Sequence, residues 1–565
     1  TRYSRTGLPW VVLGQFGFLE VTSKDRLDVL FRSYDARFTG IEKAVLFASP
    51  SQIDARRMQY ERRLNEYEQY PPLFVSRAEH WLKLKSHGLP QSSAVFLSPK
   101  ISVAYGNYGL YSDPSEGRKQ WHINPFVFFR KSFSIDPNVP VPDVAVLNGR
   151  RIFFSHIDGD AFHSISQKNV ERYCSELIRT EILERYSTLP FGVSVIVAEV
   201  DERERGNRRL QEVARQIFAL PNVEIASHTY YHPLEWGTGK LSYSMNKAID
   251  EQREVVESVR YIRDNLAGNK LVKAVYWSGD CMPSEGALKL ARMSAVHTIN
   301  GGDGRFDSEF PSLAYLSPLG RPVGSEFQVF SANANDNLYT HGWTGPYFGF
   351  RHAIQTFERT KHPILKPINP YFHFFAGEND TGIKSVQAVL DWSITQPISP
   401  VFPSTYIESV FGFRNAIIEK VGRLHYRITG ARGLRTLRFD SIDWIPDLER
   451  CRGLIGFSVL DGKLYVYLSN QGAAEIVLRA KHVKFHLPPY LHSVGGLVEQ
   501  MVGTGKRLSY VLAPYSRGPL TIGGITKSRI DYTDGTASHS LPVREGRVEI
   551  PLEPRRQSST IEVIP

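Results

Sequence analysis

Between residues 151 and 402, apolar runs of strand length alternate with stretches of helical period. Residues 151–157, 191–200, 223–226, 273–277, 295–299, 327–331, 370–375 and 399–402 read as strands, and the β-branched run at 191–200 has the character of a buried one. Residues 168–186, 207–220, 244–266, 284–293, 348–360 and 383–392 carry helical periodicity; in 244–266 the apolar residues fall at 248, 249, 255, 256, 259 and 262. Such alternation predicts a parallel α/β domain, and seven or eight strands predict a (β/α)7–8 barrel.

The flanks are patterned differently. Residues 1–135 read as an α/β accessory domain, with strands at 10–19 and 43–47 and a charged helix at 51–68. Residues 136–150, with Pro137, Pro140 and Pro142, read as a linker. The barrel then occupies 151–405, and 406–565 changes to short alternating runs (453–458, 463–468, 475–478, 483–487) separated by Gly, Asn and Asp turns. That spacing predicts a β-sandwich. No repeat of solenoid or propeller period is present.

Composition narrows the function classes. In 565 residues, 42% hydrophobic and 22% charged content is ordinary for a globular chain. No apolar run reaches the roughly 20 residues of a membrane helix, so no membrane span is expected. The three cysteines, Cys174, Cys281 and Cys451, are too dispersed for a zinc-type pair or a disulfide framework. The net charge of +10 comes from basic flanks around a slightly acidic middle, without a basic stripe, so nucleic acid is not an expected partner. The chain opens at Thr1 without an apolar leader; the expectation is a processed chain or a piece of a longer one, its targeting signal removed.

A barrel carries its chemistry at the C-terminal ends of its strands. Asp158, Asp160, His228, His232, Asp280, Asp303 and His373 all fall at or near such ends. Two carboxylates as close as Asp158 and Asp160 need a cation between them or a shared proton. They supply a metal ligand and a general base, or else an Asp-Gly turn bonded to local N–H groups. His228 and His232 are four residues apart, which puts both on one face of a helical turn. With a carboxylate as third ligand they leave an open metal position. His373, between aromatics, is a core residue or a general acid that protonates a leaving amine, with Glu378 as a candidate partner. Sugar platforms are sought among Trp236, Trp277, Trp343, Tyr347, Tyr230 and Tyr231, each of which reads first as a core residue, with Trp277 and Trp343 the two favoured as platforms. Asp280 and Asp303 bond sugar hydroxyls, orient the base, or serve only as turn residues.

Taken in order, the Asp pair, His228-Thr229-Tyr230-Tyr231-His232, the loop 276–284 with its Pro283, and the strand-end His373 resemble the NodB-homology polysaccharide deacetylases. The resemblance implies a metal-dependent hydrolase on a distorted barrel. It makes Asp158 the base, Asp160, His228 and His232 the ligands of a divalent metal (Zn2+ foremost), and His373 the acid. Two departures stand out. The sequence is Asp-Gly-Asp where that family has adjacent Asp-Asp-Gly, so base and ligand roles could be exchanged or shared. The loop 276–284 has Trp277 and Asp280 but no Arg where the family has a base-orienting Arg. The runs 140–143, 147–151, 155–160, 226–233 and 372–374 are more closely similar to the Pel-type exopolysaccharide deacetylases, over about residues 135–405. That branch implies an N-acetylated polysaccharide substrate containing N-acetylgalactosamine and a periplasmic or secreted location. It also implies an exopolysaccharide synthesis or export complex, a carbohydrate-binding-like tail, and a glycoside hydrolase domain ahead of this chain. Two rivals are a degenerate polysaccharide-binding scaffold and a glycoside hydrolase. The latter needs carboxyl groups ~5 Å or more apart across a sugar and no metal.

Overall fold

The computed structural model describes residues 11–14, 17–20, 77–84, 92–104, 109–113, 118–121, 123–238, 240–241, 249–482, 487–503, 508–515, 518–534, 537–552 and 559–564. Its contacts divide into two units, 1–136 with 308–316, and 137–307 with 317–565. In the first unit the described residues form a hairpin (Val11–Gly14 with Gly17–Glu20) and an antiparallel sheet of Glu79–Leu84, Ser92–Leu97 and Ser102–Ala104. A second hairpin and the helix Pro125–Ser132 follow. Asn124 starts that helix by accepting the N–H groups of Phe126 and Val127. The strand expected at 10–19 is therefore a two-stranded hairpin. The strand expected at 43–47 and the helix expected at 51–68 lie outside the described residues.

The second unit is built on six parallel strands: β1 (Ser155–Asp158), β2 (Phe191–Val195), β3 (Val223–Ser227), β4 (Val272–Tyr276), β5 (His297–Ile299) and β6 (Tyr371–His373). Their order is β5-β4-β3-β2-β1-β6. Helices α1 (Cys174–Ile178), α2 (Arg208–Ala219), α3 (Ser258–Asn265), α4 (Glu285–Met293), α5 (His352–Arg359), α6 (Asp380–Ile394) and α7 (Pro403–Asn415) connect or follow them. Ile157, Val193, Val195, Ile225 and Phe372 form one core with Ile178, Leu210, Val213, Ile217 and Val386 from the helices. The chain leaves β2 at Ile196 and makes the helical turn Val197–Val200, where β-branched residues had predicted continued strand. The reason is tertiary: the N–H groups of Val197 and Ala198 donate to the carbonyls of Thr229 and Tyr230 in the loop after β3.

A closed seven- or eight-stranded barrel is not what the sheet forms. The run 151–157 is broken at Phe154, whose N–H donates to Ile368. Its first part, Arg150–Phe153, pairs in parallel with Ile398–Pro400 outside the six-stranded sheet. The run at 327–331 belongs to an antiparallel hairpin, Gly320–Val323 with Glu326–Val329. The parallel sheet is thus a curled half-barrel. Of the helix expected at 244–266, residues 244–248 lie outside the description, and π-helix Gln252–Glu257 runs into α3.

The linker expected at 136–150 carries strands instead. Val141–Asp143 pairs with Thr436–Phe439 at the edge of a seven-stranded sheet, and Val146–Leu147 pairs beside Arg150–Phe153. Beyond α7 this seven-stranded sheet is flanked by a four-stranded and a five-stranded sheet. Lys463–Leu468 shows why. Its alternate residues Leu464, Val466 and Leu468 join the core shared with Phe154, Tyr276 and Tyr406, whereas Tyr465 and Tyr467 join the core of the five-stranded sheet. Both faces are buried, so the tail is three stacked sheets rather than one sandwich. The strand expected at 483–487 falls mostly outside the description. Among the described residues no helix is long and apolar enough to cross a membrane.

The face of the sheet opposite the helical core leads to the chemistry. Phe154, His156 and Asp158 alternate on it. Phe154 stacks on Tyr406 of α7 at 4.4 Å, and His156 meets Tyr276 edge-on at 5.2 Å. Gly192 faces the same space; a Cβ there would collide with the Tyr276 hydroxyl and lie 2.7 Å from Pro403. Gly192→Ala is accordingly expected to destabilise the protein by about 1–3 kcal/mol, as overpacking does. Thermal melting should show the loss, and adding Tyr276→Phe should restore part of it.

Candidate metal centre

Asp160, just after β1, and His228 and His232, just after β3, converge: one ligand atom from each lies within 4.8 Å of the others. His228 Nε2 is 3.0 Å from Asp160 Oδ2, and His232 Nε2 is 3.1 Å from Asp160 Oδ1. His228 is 1% exposed, and its Nδ1 donates to the Tyr276 carbonyl at 2.9 Å. A carbonyl only accepts, so Nδ1 carries a proton and Nε2 is the nitrogen turned towards Asp160. Asp160 Oδ2 is buried with no hydrogen-bond partner. Burial alone would raise the Asp160 pKa, but His232 and His228 outweigh it and hold the carboxyl well below its usual range. Two imidazole nitrogens and a carboxylate with an unbonded buried oxygen fit a zinc-type divalent ion.

The loop carrying both histidines is braced from below. Thr229 and His232 are left-handed, with φ of 67° and 57°. Non-glycine residues resist that conformation, at about 1–3 kcal/mol each, unless the surroundings enforce it. Buried Glu254, on the π-helix, does so: its Oε2 accepts the N–H groups of Tyr230 and Tyr231 at 2.9 and 2.8 Å. The His232 N–H adds a bond to Thr229 Oγ1 at 3.1 Å. π-Turns inside helices recur at functional sites, and this one aims a carboxylate at two amides.

Asp158, 2% exposed, stands beside this cluster with its own donors. Tyr371 of β6 donates to Oδ2 at 2.5 Å, and Asn300 Nδ2 donates at 2.9 Å. In the β1–β6 register Asp158 is paired with His373. His373 Nε2 lies 3.6 Å from Asp158 Oδ2 and 3.8 Å from Asp160 Oδ2. Its Nδ1 donates to Asp336 Oδ1 at 2.5 Å. Asp336 is itself fully buried and also accepts from the Tyr347 hydroxyl and from Trp343 Nε1, the latter at 3.4 Å. Burial pulls the His373 pKa down, but Asp336, Asp160 and Asp158 outweigh it and raise it to about 9.

The structure thus gathers Asp158, Asp160, His228, His232 and His373 in one place. Trp343 joins them: half-buried, its ring is edge-on to His373 at 4.9 Å. Asp303 lies close enough to feel Asp158; desolvation and that charge both push its carboxyl up. Trp277 does not present a sugar platform. It is 0% exposed and packs edge-on against Trp236 at 5.1 Å, because β4 sends it into the core of α4. Trp236, Tyr230, Tyr231 and Tyr347 are likewise buried. Asp280 accepts the N–H of Met282 in its own turn at 3.0 Å and the N–H of Trp236, 44 residues earlier in the chain, at 3.3 Å. Glu378 bonds Gln167 instead of His373. Sequence reasoning missed Asp336, Asn300, Tyr371 and Glu254. The helix-start pattern Asn335-Asp336 was the one local signal among them.

No protein-family model matches the chain, and no curated protein matches it. Among solved structures, a CE4-family pseudoenzyme from Bacillus anthracis aligns at 11% identity and TM-score 0.26, over 44% of this chain and 61% of that one. A 4-alpha-glucanotransferase from Thermococcus litoralis aligns at 13% identity and TM-score 0.30, over 45% of this chain and 39% of that one. A Parabacteroides distasonis protein assigned as a glycoside hydrolase/deacetylase aligns at 9% identity and TM-score 0.31, over 52% and 80%. At these scores the likenesses do not define a family, and the chain spans less than two thirds of the first two.

Burial raises the Glu254 pKa from 4.5 to about 7. A folded state that holds its proton more tightly than the unfolded state loses stability as pH rises. Glu254 therefore contributes most below about pH 4.5, and that contribution disappears as pH climbs through about 7. In metal-free protein, melting temperatures at about pH 5 and about pH 8 should differ less in Glu254→Gln than in the wild type. An unchanged difference would remove Glu254 from the account.

Proposed function

We propose that the chain is a metal-dependent N-deacetylase of an N-acetylhexosamine polymer. One observation carries this reading: the Asp160–His228–His232 donor cluster has a held carboxylate, Asp158, and a carboxylate-oriented imidazole, His373, beside it. A divalent ion held by the three donors would supply Lewis-acid polarisation of an amide carbonyl and a lower pKa for attacking water. Asp158, kept in place by Tyr371 and Asn300, takes the proton from water as it attacks the amide carbon. His373, oriented through Nδ1 by Asp336, delivers its Nε2 proton to the departing nitrogen as the C–N bond breaks. Acetate leaves, and the sugar keeps a free amine. Trp343, next to His373, is the wall against which a pyranose would stack.

The substrate and setting rest on the sequence likeness to PelA-type proteins. They are a Pel-like exopolysaccharide containing N-acetylgalactosamine, a periplasmic or secreted location, and work within a synthesis or export complex of the biofilm matrix. A second reading, a polysaccharide-binding scaffold with a degenerate site, is favoured by the absence of Arg in the loop 276–284.

Elemental analysis together with acetate release from N-acetylated hexosamine oligomers, before and after chelation, separates the two. The enzyme reading expects one metal per chain and chelator-sensitive release. Folded protein supplied with zinc that holds no metal and frees no acetate would leave the scaffold. Asp158→Asn is expected to keep the metal and to lower acetate release by about 10²–10⁴-fold, the usual worth of a general base. His228→Ala should lose metal and activity together. Loss of metal in Asp158→Asn would mean that the two aspartates exchange roles.

A further inference from the structure

Asp158 is held by two neutral donors from different strand ends, and one side chain touches both. His156, 0% exposed, precedes Asp158 by two residues on the same face of β1. Its Nε2 lies 3.0 Å from Asn300 Oδ1, and its ring stacks on Tyr371 at 3.9 Å and 25°. Its Nδ1 lies 3.2 Å from Asn369 Nδ2.

The direction of this chain is fixed from one end. Asn369 Oδ1 accepts the Ala332 N–H at 3.2 Å, so its Nδ2 faces His156 and donates to Nδ1. His156 must then carry its proton on Nε2 and donate it to Asn300 Oδ1. Asn300 is left with its amide hydrogens aimed at Asp158 and at the Trp277 carbonyl, 3.0 Å away. Each amide and the imidazole has one orientation only, and the last donor points at the carboxylate. Asn300 has a φ of 108°, a conformation that a non-glycine residue holds only when surrounding bonds enforce it. Burial keeps His156 neutral by pushing its pKa down to about 4.

We propose that His156 is the positioning residue of the site: through Asn300 and Tyr371 it aligns both donors that hold Asp158. The inference rests on the deacetylase reading, in which Asp158 is the base. It assigns to a neutral relay the orienting task for which the loop 276–284 offers no Arg. A histidine that merely filled the core would affect stability without affecting turnover.

The test uses the full chain with its metal bound and N-acetylated hexosamine oligomers as substrate. His156→Phe keeps a ring against Tyr371 and removes both hydrogen bonds. It should retain metal and lower kcat for acetate release about 10–100-fold, with KM changed less than about twofold, as loss of alignment does. Asn300→Ala should produce a similar fall, and the double variant should be no slower than Asn300→Ala alone. His156→Gln, which can donate and accept, should recover part of the rate. Selective 15N labelling of histidine, with His156→Gln to assign the signal, should show Nε2 protonated and Nδ1 bare from about pH 5.5 to about pH 9 in the wild type. This last measurement holds even if His156→Phe fails to fold. Unchanged kcat in His156→Phe, additive losses in the double variant, or a proton on Nδ1 overturns the proposal. Wild-type protein that binds metal but releases no acetate would instead overturn the deacetylase reading beneath it.

Discussion

Asp158 holds its carboxylate almost wholly out of water, and a buried carboxylate is tolerated only where donors surround it. That requirement organises the inner face of the sheet. Its two donors come from β6 and from the residue after β5, so the site exists only if three strand ends close on one point. The β1–β6 register, with Asp158 opposite His373, then brings the candidate acid beside the candidate base. A one-residue slip would turn Asp158 to the helical side of the sheet. Tyr276 helps from a fourth strand: its ring packs against His156, and its carbonyl fixes His228.

Strain is concentrated around the same point. Thr229, His232, Cys281, Asn300, Asp303 and Trp343 all have positive φ. Residues in such conformations cluster where side chains must be aimed rather than merely packed. The means of enforcement differ. Glu254 clamps the histidine loop through two amides, and Asn300 is gripped at both ends of its side chain. The helix core and the three stacked sheets supply the rigidity behind these grips. Phe154, Tyr276 and Tyr406 belong to a core continuous with the seven-stranded sheet, so the tail braces the sheet that carries the site.

What could be read from the sequence was whatever depends on neighbours in the chain. Asp158 and Asp160 were visible because two acids flank one glycine after an apolar run, and His228 and His232 because their spacing is local. What could not be read depends on partners far away. Asn300 and Tyr371 reach Asp158 across 142 and 213 residues, and nothing in their own surroundings marks them. Asp336 and Glu254 are ordinary acids until the fold buries them. Strand count failed for a related reason: length and apolarity predict that 327–331 is extended, but not that it pairs in a hairpin outside the parallel sheet. Trp277 illustrates the reverse. Its position after a strand suggested a rim residue, yet the ring turned inward to Trp236.

The Asp-Gly-Asp spacing now has a physical sense. Asp158 belongs to a network of neutral donors drawn from β5 and β6, and Asp160 to a network of imidazoles drawn from the loop after β3. The two carboxylates must turn to different partners within one turn of chain. Gly159 permits this because it passes against the backbone that leaves β2: a Cβ there would lie 2.7 Å from the Ile196 nitrogen. Any side chain at that position would push β1 away from β2 and open the β3 loop with it, since Val197 and Ala198 bond the carbonyls of Thr229 and Tyr230. The intervening glycine therefore separates the two carboxylates by partner and joins the two strand ends by contact.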